Sequence, residues 1–253
     1  LIRSIFIPEA GCQWGVFDYS QQEPRVTVHY SYLRGFPGAD AARNRYLDDP
    51  NTDYHQLVAD MAGISRKNAK TLNLGLAYGM GAAKAATQLG LPSAEAKRVY
   101  DQYHVNVPFI KALGEECTRI ATNRGYVKTF LGRRRRFQLF GPPKYSAGLI
   151  PLKKDLAEEK YGLPLKRYFV HKAMNAVIQG SSADMIKLAM INLFKKGEVP
   201  HLTIHDELDF SVRNLNHARM IRQEMLTCVN LVVPLKVDCE LGPSWGEAVE
   251  VQL

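Results

Sequence analysis

Leu202, Ile204, Leu208 and Phe210 are apolar at alternate positions of LTIHDELDF, the spacing of a strand with one buried face. Asp206 falls in the same phase, where an unpaired carboxylate costs several kcal/mol. Two features would meet that cost: a tight turn at His205–Asp206 that breaks the alternation, and positive charge supplied to Asp206. Both are expected. QWGVFDYS reads as a short strand ending at Asp18, and QQEPRVTVHYSYLRG as a helix with Pro24 in its first turn, where a missing N–H costs little. The stretch from Gly35 to Asp53, rich in Gly, Pro, Asp and Arg, reads as a connector. SRKNAKTLNLGLAYGMG has an N-cap serine, Ser65, then helical spacing, then glycines. Further helices are predicted over Ser93–Tyr103 and Val107–Asn123, a charged loop over Phe140–Pro164, one long helix over Arg167–Lys196 and a late strand over Leu235–Leu241. The order strand, helices, strands fits α+β better than alternating α/β.

A chain of 253 residues is long enough to bury a real core and to divide into two domains. It opens on Leu1, so an excerpt of a longer protein is expected. The first stretch, LIRSIFIPEAG, is too short and too soon broken by Pro8 to be a signal or a membrane span, and no membrane association is expected. Cys12, Cys117, Cys228 and Cys239 form no CxxC pair, which indicates neither a zinc site nor a disulfide framework. The plain reading is a reducing, cytoplasmic setting, or a host cytoplasm if the source is viral. The net charge is +8, with part of the excess in GRRRRF, Gly132–Phe137. Guanidinium forks suit paired phosphate oxygens. On the run alone, nucleic acid, a solvated loop and an anionic lipid surface all stay open.

Asp18 and Asp206 share a context: an apolar strand runs into an acid and the chain then turns. Carboxylates from two distant segments are a familiar way to bind magnesium, and two ions ~3.5–4 Å apart clamp both sides of an in-line phosphoryl displacement. Taken singly, either acid also fits a turn or a helix cap. Arg66, Lys70, Leu74 and Tyr78 recur every four residues along one helix face, where the cations suit a triphosphate and the tyrosine a stacked base. A basic solvent face with a tyrosine at its edge has the same spacing. His171, Asn175 and Gln179 form a second such stripe among apolar neighbours; buried amides need partners, which minor-groove base acceptors or nearby backbone would supply. Gly180, Ser181, Ser182 and Ala183 read as close packing.

In this order the pieces resemble the family A DNA polymerases, the group of bacterial DNA polymerase I and many phage replicases. DYSQQEPR is similar to that family's DYSQIELR, RKNAKTLNLGLAYG to its fingers-helix motif RxxxKxxxFGxxYG, NAVIQGSSAD to NxxxQGxxAD and HDE to its last palm motif. The likeness runs from IRSIFIPE to about Trp245. It implies an α+β, incomplete right hand: an antiparallel-sheet palm with helices over residues 1–35 and 167–253, mainly helical fingers over 36–166, and the thumb absent.

The resemblance also implies roles. Asp18 and Asp206 would hold two magnesium ions, with Glu207 near them. Arg66, Lys70 and His55 would bind the incoming deoxynucleoside triphosphate, and Lys70 would protonate pyrophosphate. Glu23 would fill the space that a ribose 2′-hydroxyl needs, and Tyr78 would lie beneath the nascent pair. Arg25, Asn175, Gln179 and His205 would touch primer-template DNA near the terminus, and Arg133 and Arg134 would follow its backbone. Leu74 stands where an aromatic residue is usual, so altered handling of dideoxynucleotides is expected; unchanged discrimination in Leu74→Tyr would count against that position. Gln22 and Pro24 replace Ile and Leu, His171 stands where arginine is frequent, and the Gly141–Lys166 segment is longer than usual. The implied activity is template-directed DNA synthesis in replication or repair. The fragment alone could be inactive. The rivals are a non-catalytic nucleic-acid-binding relic and a single-subunit RNA polymerase, in which a steric gate at Glu23 would be useless. Replisome or processivity partners are not legible.

Overall fold

The computed structural model describes residues 2–77, 80–144 and 148–253. The chain divides into two compact units, one of residues 1–29, 43–52 and 181–253, the other of 30–42 and 53–180. The boundaries expected from the resemblance, 35/36 and 166/167, do not coincide with these, because α1 (Gln22–Leu33) and α9 (Ala173–Phe194) each divide between the units.

The first unit is built on a five-stranded antiparallel sheet in the order β6 (Leu202–Ile204), β7 (Glu207–Val212), β1 (Gln13–Tyr19), β8 (Val237–Gly242), β9 (Val249–Glu250). Directly paired residues share a face. Phe17, Leu208 and Cys239 therefore lie on one face, and Asp18, Glu207 and Asp238 on the other. The apolar face is tightly packed: a Cβ on Gly15 would fall 2.3 Å from Val212 Cγ2. The opposite face is also largely out of water, with Trp14 and Val16 buried beside the fully buried Asp209. The helix α10 (Leu215–Thr227) contributes His217, Ala218, Ile221 and Met225 to the buried set.

The second unit is mainly helical, with α3 (Tyr54–Ala62), α4 (Arg66–Ala77), α5 (Ala82–Leu89), α6 (Ser93–Asn106) and α7 (Pro108–Arg124). Its core includes Leu57, Val58, Leu72, Tyr103, Phe109 and Leu113. A short hairpin, β2 (Tyr126–Lys128) with β3 (Arg134–Arg136), carries the arginine run. Gly180 lets that hairpin approach α9, since a Cβ there would sit 2.8 Å from Thr129 Cγ2.

Three expectations need correction. The 35–53 connector contains a helix, α2 (Ala39–Asp48), whose inward residues Ala39, Ala42 and Tyr46 are mostly too small to mark an apolar stripe. The long helix begins at Ala173 rather than Arg167. Lys166 and Arg167 form β5, paired with β4 (Phe140–Gly141), and Phe169 takes a left-handed φ of 62° that breaks the helical path. The 140–164 stretch is not all loop, because α8 (Lys154–Tyr161) lies within it. Among the described residues no helix is long and apolar enough to cross a membrane, and the four cysteines are free thiols.

Candidate active site

The chain reverses between β6 and β7 at His205–Asp206, and this is the turn that the phase of Asp206 demanded. His205 takes φ 58°, a left-handed conformation that few non-glycine residues adopt. Its Nδ1 lies 2.9 Å from Asp206 Oδ1, and this contact raises the imidazole's pKa. Tyr19 N–H donates to the Asp206 carbonyl at 3.3 Å, so the turn is fastened to the end of β1. Asp18 pairs in register with Glu207 on one side and Asp238 on the other.

Asp18 is only partly exposed, and its Oδ1 is out of water with no hydrogen-bond partner. Burial first, and then the charges of Asp206, Glu207 and Asp238, push its carboxyl up to about 7. The same acidic face continues inward. Asp209 is fully buried, and burial together with Glu207 pushes its carboxyl well up. Glu207 is raised by burial, against the pull of Arg3. A cleft of about 360 Å³ opens beside these groups, lined by Asp18, Glu207, Asp238 and Glu240 together with Arg3 and Lys236.

In the second unit Asp53 caps α3, accepting from the N–H groups of His55 and Gln56 at 2.8 and 3.1 Å. Its other oxygen takes a forked pair from Arg66 at 2.9 and 2.6 Å. Burial alone would raise Asp53, but Arg66 and the two N–H groups outweigh it and hold the carboxyl below its usual range. His55 is oriented by Asn73, 3.0 Å from its Nδ1, and Asn73 in turn accepts from Tyr103 Oη. Burial, Arg66 and Lys70 lower the His55 pKa and favour the neutral ring. Lys70 and Leu74 are exposed on the stripe begun by Arg66.

The sequence pattern of DNA polymerase family A matches residues 1–247. The chain belongs to that family. Among curated relatives, the DNA-directed DNA polymerase of Pseudomonas phage M6 is 38% identical over 98% of this chain and 40% of its own length. The thermostable DNA polymerase I of Thermus aquaticus is 31% identical over 98% of this chain and 29% of its own. A solved structure of the POL domain of Pol1 from M. smegmatis, in complex with DNA primer-template and dNTP, superposes with a TM-score of 0.75. It is 31% identical and covers 98% of this chain and 42% of its own. The chain thus spans well under half the length of these relatives.

In this family A chain the first unit gathers Asp18, Asp206, Glu207 and His205, and Glu23 adds to the charge felt by His205. The second unit gathers His55, Arg66 and Lys70 around Asp53. Asn175 is half-buried and its Nδ2 is out of water without a hydrogen bond, while Gln179 is half-buried one turn on. Arg133 is exposed, with one guanidinium nitrogen on the Gly180 carbonyl at 2.7 Å, and Arg134 is exposed over the Tyr126 ring. Tyr78 lies outside the described residues.

Arg25 departs from its expected role. It is fully buried, stacks on Tyr46 and donates to the carbonyls of Ser20, Pro234 and Pro50 at 2.9, 2.6 and 2.7 Å. Its donors are turned inward onto these carbonyls, so it braces the first unit. Sequence reasoning missed Asp53, Asn73, Asp209 and Asp238. Asp53 stands immediately before the YH pair with the N-cap chemistry of a helix start, which is a signal present in the sequence itself.

Proposed function

We propose that the chain forms the palm (first unit) and fingers (second unit) of a template-directed DNA polymerase that extends a primer 3′ end with deoxynucleotides and releases pyrophosphate. The observation that carries this reading is the meeting of Asp18 with the Asp206–Glu207 turn at one end of the central strand pair. Such a buried, mutually repelling set of hard oxygens fits a divalent cation, which would relieve the orphaned Asp18 oxygen. Among the described residues no three such side chains converge closely enough to hold an ion alone. Magnesium keeps several waters and shares substrate phosphate oxygens, so it would need few carboxylates from the chain.

Asp18 and Asp206 would hold magnesium. When bound, it would make the primer 3′-hydroxyl more acidic and offset the charge of the departing pyrophosphate. Arg66, fixed by Asp53, and the exposed Lys70 would bind the triphosphate, and Lys70 would give a proton to the pyrophosphate oxygen. The neutral His55 would donate to a phosphate oxygen. Glu23 would exclude a 2′-hydroxyl. Asn175, Gln179 and His205 would touch primer-template DNA near its terminus. The aromatic contact of Tyr78 with the nascent pair is proposed on sequence alone.

Asp206→Asn separates this reading from a binding relic. Incorporation is expected to fall by roughly a thousandfold or more while affinity for primer-template DNA stays within about twofold, because phosphate contacts dominate that affinity. Undiminished incorporation would exclude Asp206 as a ligand. Glu23→Ala is expected to admit ribonucleotides, and continued exclusion would remove the gate role.

A further inference from the structure

The longer segment after the arginine run contains a pocket of about 300 Å³ lined by Gln138, Phe140, Lys153, Lys154 and Arg167. Three cations, an amide and an aromatic ring line it, and among the described residues no acid does. The segment is fastened by backbone: Phe140 and Leu152 exchange hydrogen bonds at 2.7 and 2.9 Å, and β4 pairs with β5. Side chains add to this, with Tyr161 Oη donating to the Ile150 carbonyl and Tyr168 Oη to that of Pro142, both at 2.9 Å.

Arg167 is fixed in place. It donates to the carbonyls of Thr122 and Phe137 and lies 4.6 Å over the Phe140 ring. Gly125 leaves room for it, since a Cβ there would come 3.0 Å from the guanidinium. Lys153 and Lys154 are exposed, and Lys154 pairs with Glu158 at 3.5 Å in a surface pair of the kind that contributes little. The pocket therefore keeps its positive charge. It also continues directly from β3, whose Arg134, Arg135 and Arg136 are exposed just before Phe137 and Gln138.

We propose that this pocket seats a backbone phosphodiester of nucleic acid, extending the basic track of the arginine hairpin into the 138–167 segment. A phosphate takes forked and point-charge donors together, and a cleft lined by one sign of charge concentrates a polyanion. The inference rests on the polymerase reading for its choice of polyanion.

The test is the salt dependence of DNA binding in Lys153→Gln/Lys154→Gln, both solvent-facing, beside wild type and Lys97→Gln as a surface control. Each lost phosphate contact should reduce the slope of log Kd against log salt by about 0.7 to 0.9. The double variant should bind primer-template DNA at least about fivefold more weakly at low salt and extend it normally at saturating DNA. An unchanged Kd and slope would overturn the inference, as would a wild-type chain that binds no DNA. Weakened binding of heparin without weakened binding of DNA would assign the pocket to another polyanion and overturn it too. Wild-type extension is measured separately, so failure of the polymerase reading is distinguishable from failure of the pocket to hold DNA.

Discussion

Arg25 directs its guanidinium nitrogens to carbonyls in three separate loops, those of Ser20, Pro50 and Pro234. Removing it would leave three part-buried acceptors without their donor and open a cavity. Arg25→Ala is expected to cost about 3–5 kcal/mol of unfolding free energy, read by urea denaturation; full stability with weakened DNA binding would return Arg25 to the DNA surface. Asp209 makes the opposite case, a buried acid whose neutral form the fold prefers. Because its pKa is raised on folding, the native state holds the proton longer than the unfolded chain. Stability is therefore greatest below the unfolded pKa and falls as pH rises toward the folded one. Asp209→Asn should remove that fall, giving a Tm a few degrees above wild type at pH 9, the size expected for about 1–2 kcal/mol in a chain this long, and little difference at pH 5. A gap of equal size at both pH values would show that the carboxyl does not titrate as the burial implies.

At the scale of elements, the β6–β7 hairpin depends on one residue in a left-handed conformation. His205→Gly should hold or slightly raise stability, whereas His205→Val should lose about 1–3 kcal/mol, measured by thermal melts; an indifferent valine would mean that the turn relaxes freely. This hairpin was legible because Asp206 contradicted the alternation around it. The α4 helix was legible from Ser65 and the four-residue stripe. The start of α9 was not, since no Gly or Pro lies between Arg167 and Ala173 and the break comes from Phe169 and the pairing of β5 with β4. Asp209 was missed because strand alternation does not show which part of a polar face is closed off, and here Asp209 lies beside the buried Trp14 and Val16. The inward turn of Arg25 depends on carbonyls up to 209 residues away, which no local pattern encodes.

Over the whole molecule, chemistry is divided between two units, carboxylates on a sheet in one and cations on helices in the other. Four short motifs in order were enough to indicate the family; the supporting residues, Asp53, Asn73 and Asp238, emerged only with the fold. The chain carries a net charge of +8 despite the acidic face of the sheet, which suits a polyanion partner. The most direct test of the central claim is single-nucleotide primer extension in magnesium, on four templates that differ only in the next base. Each template should accept its complementary deoxynucleotide and no ribonucleotide. Addition that ignores the template base, or preference for ribonucleotides, would contradict the proposal that this chain forms the palm and fingers of a template-directed DNA polymerase.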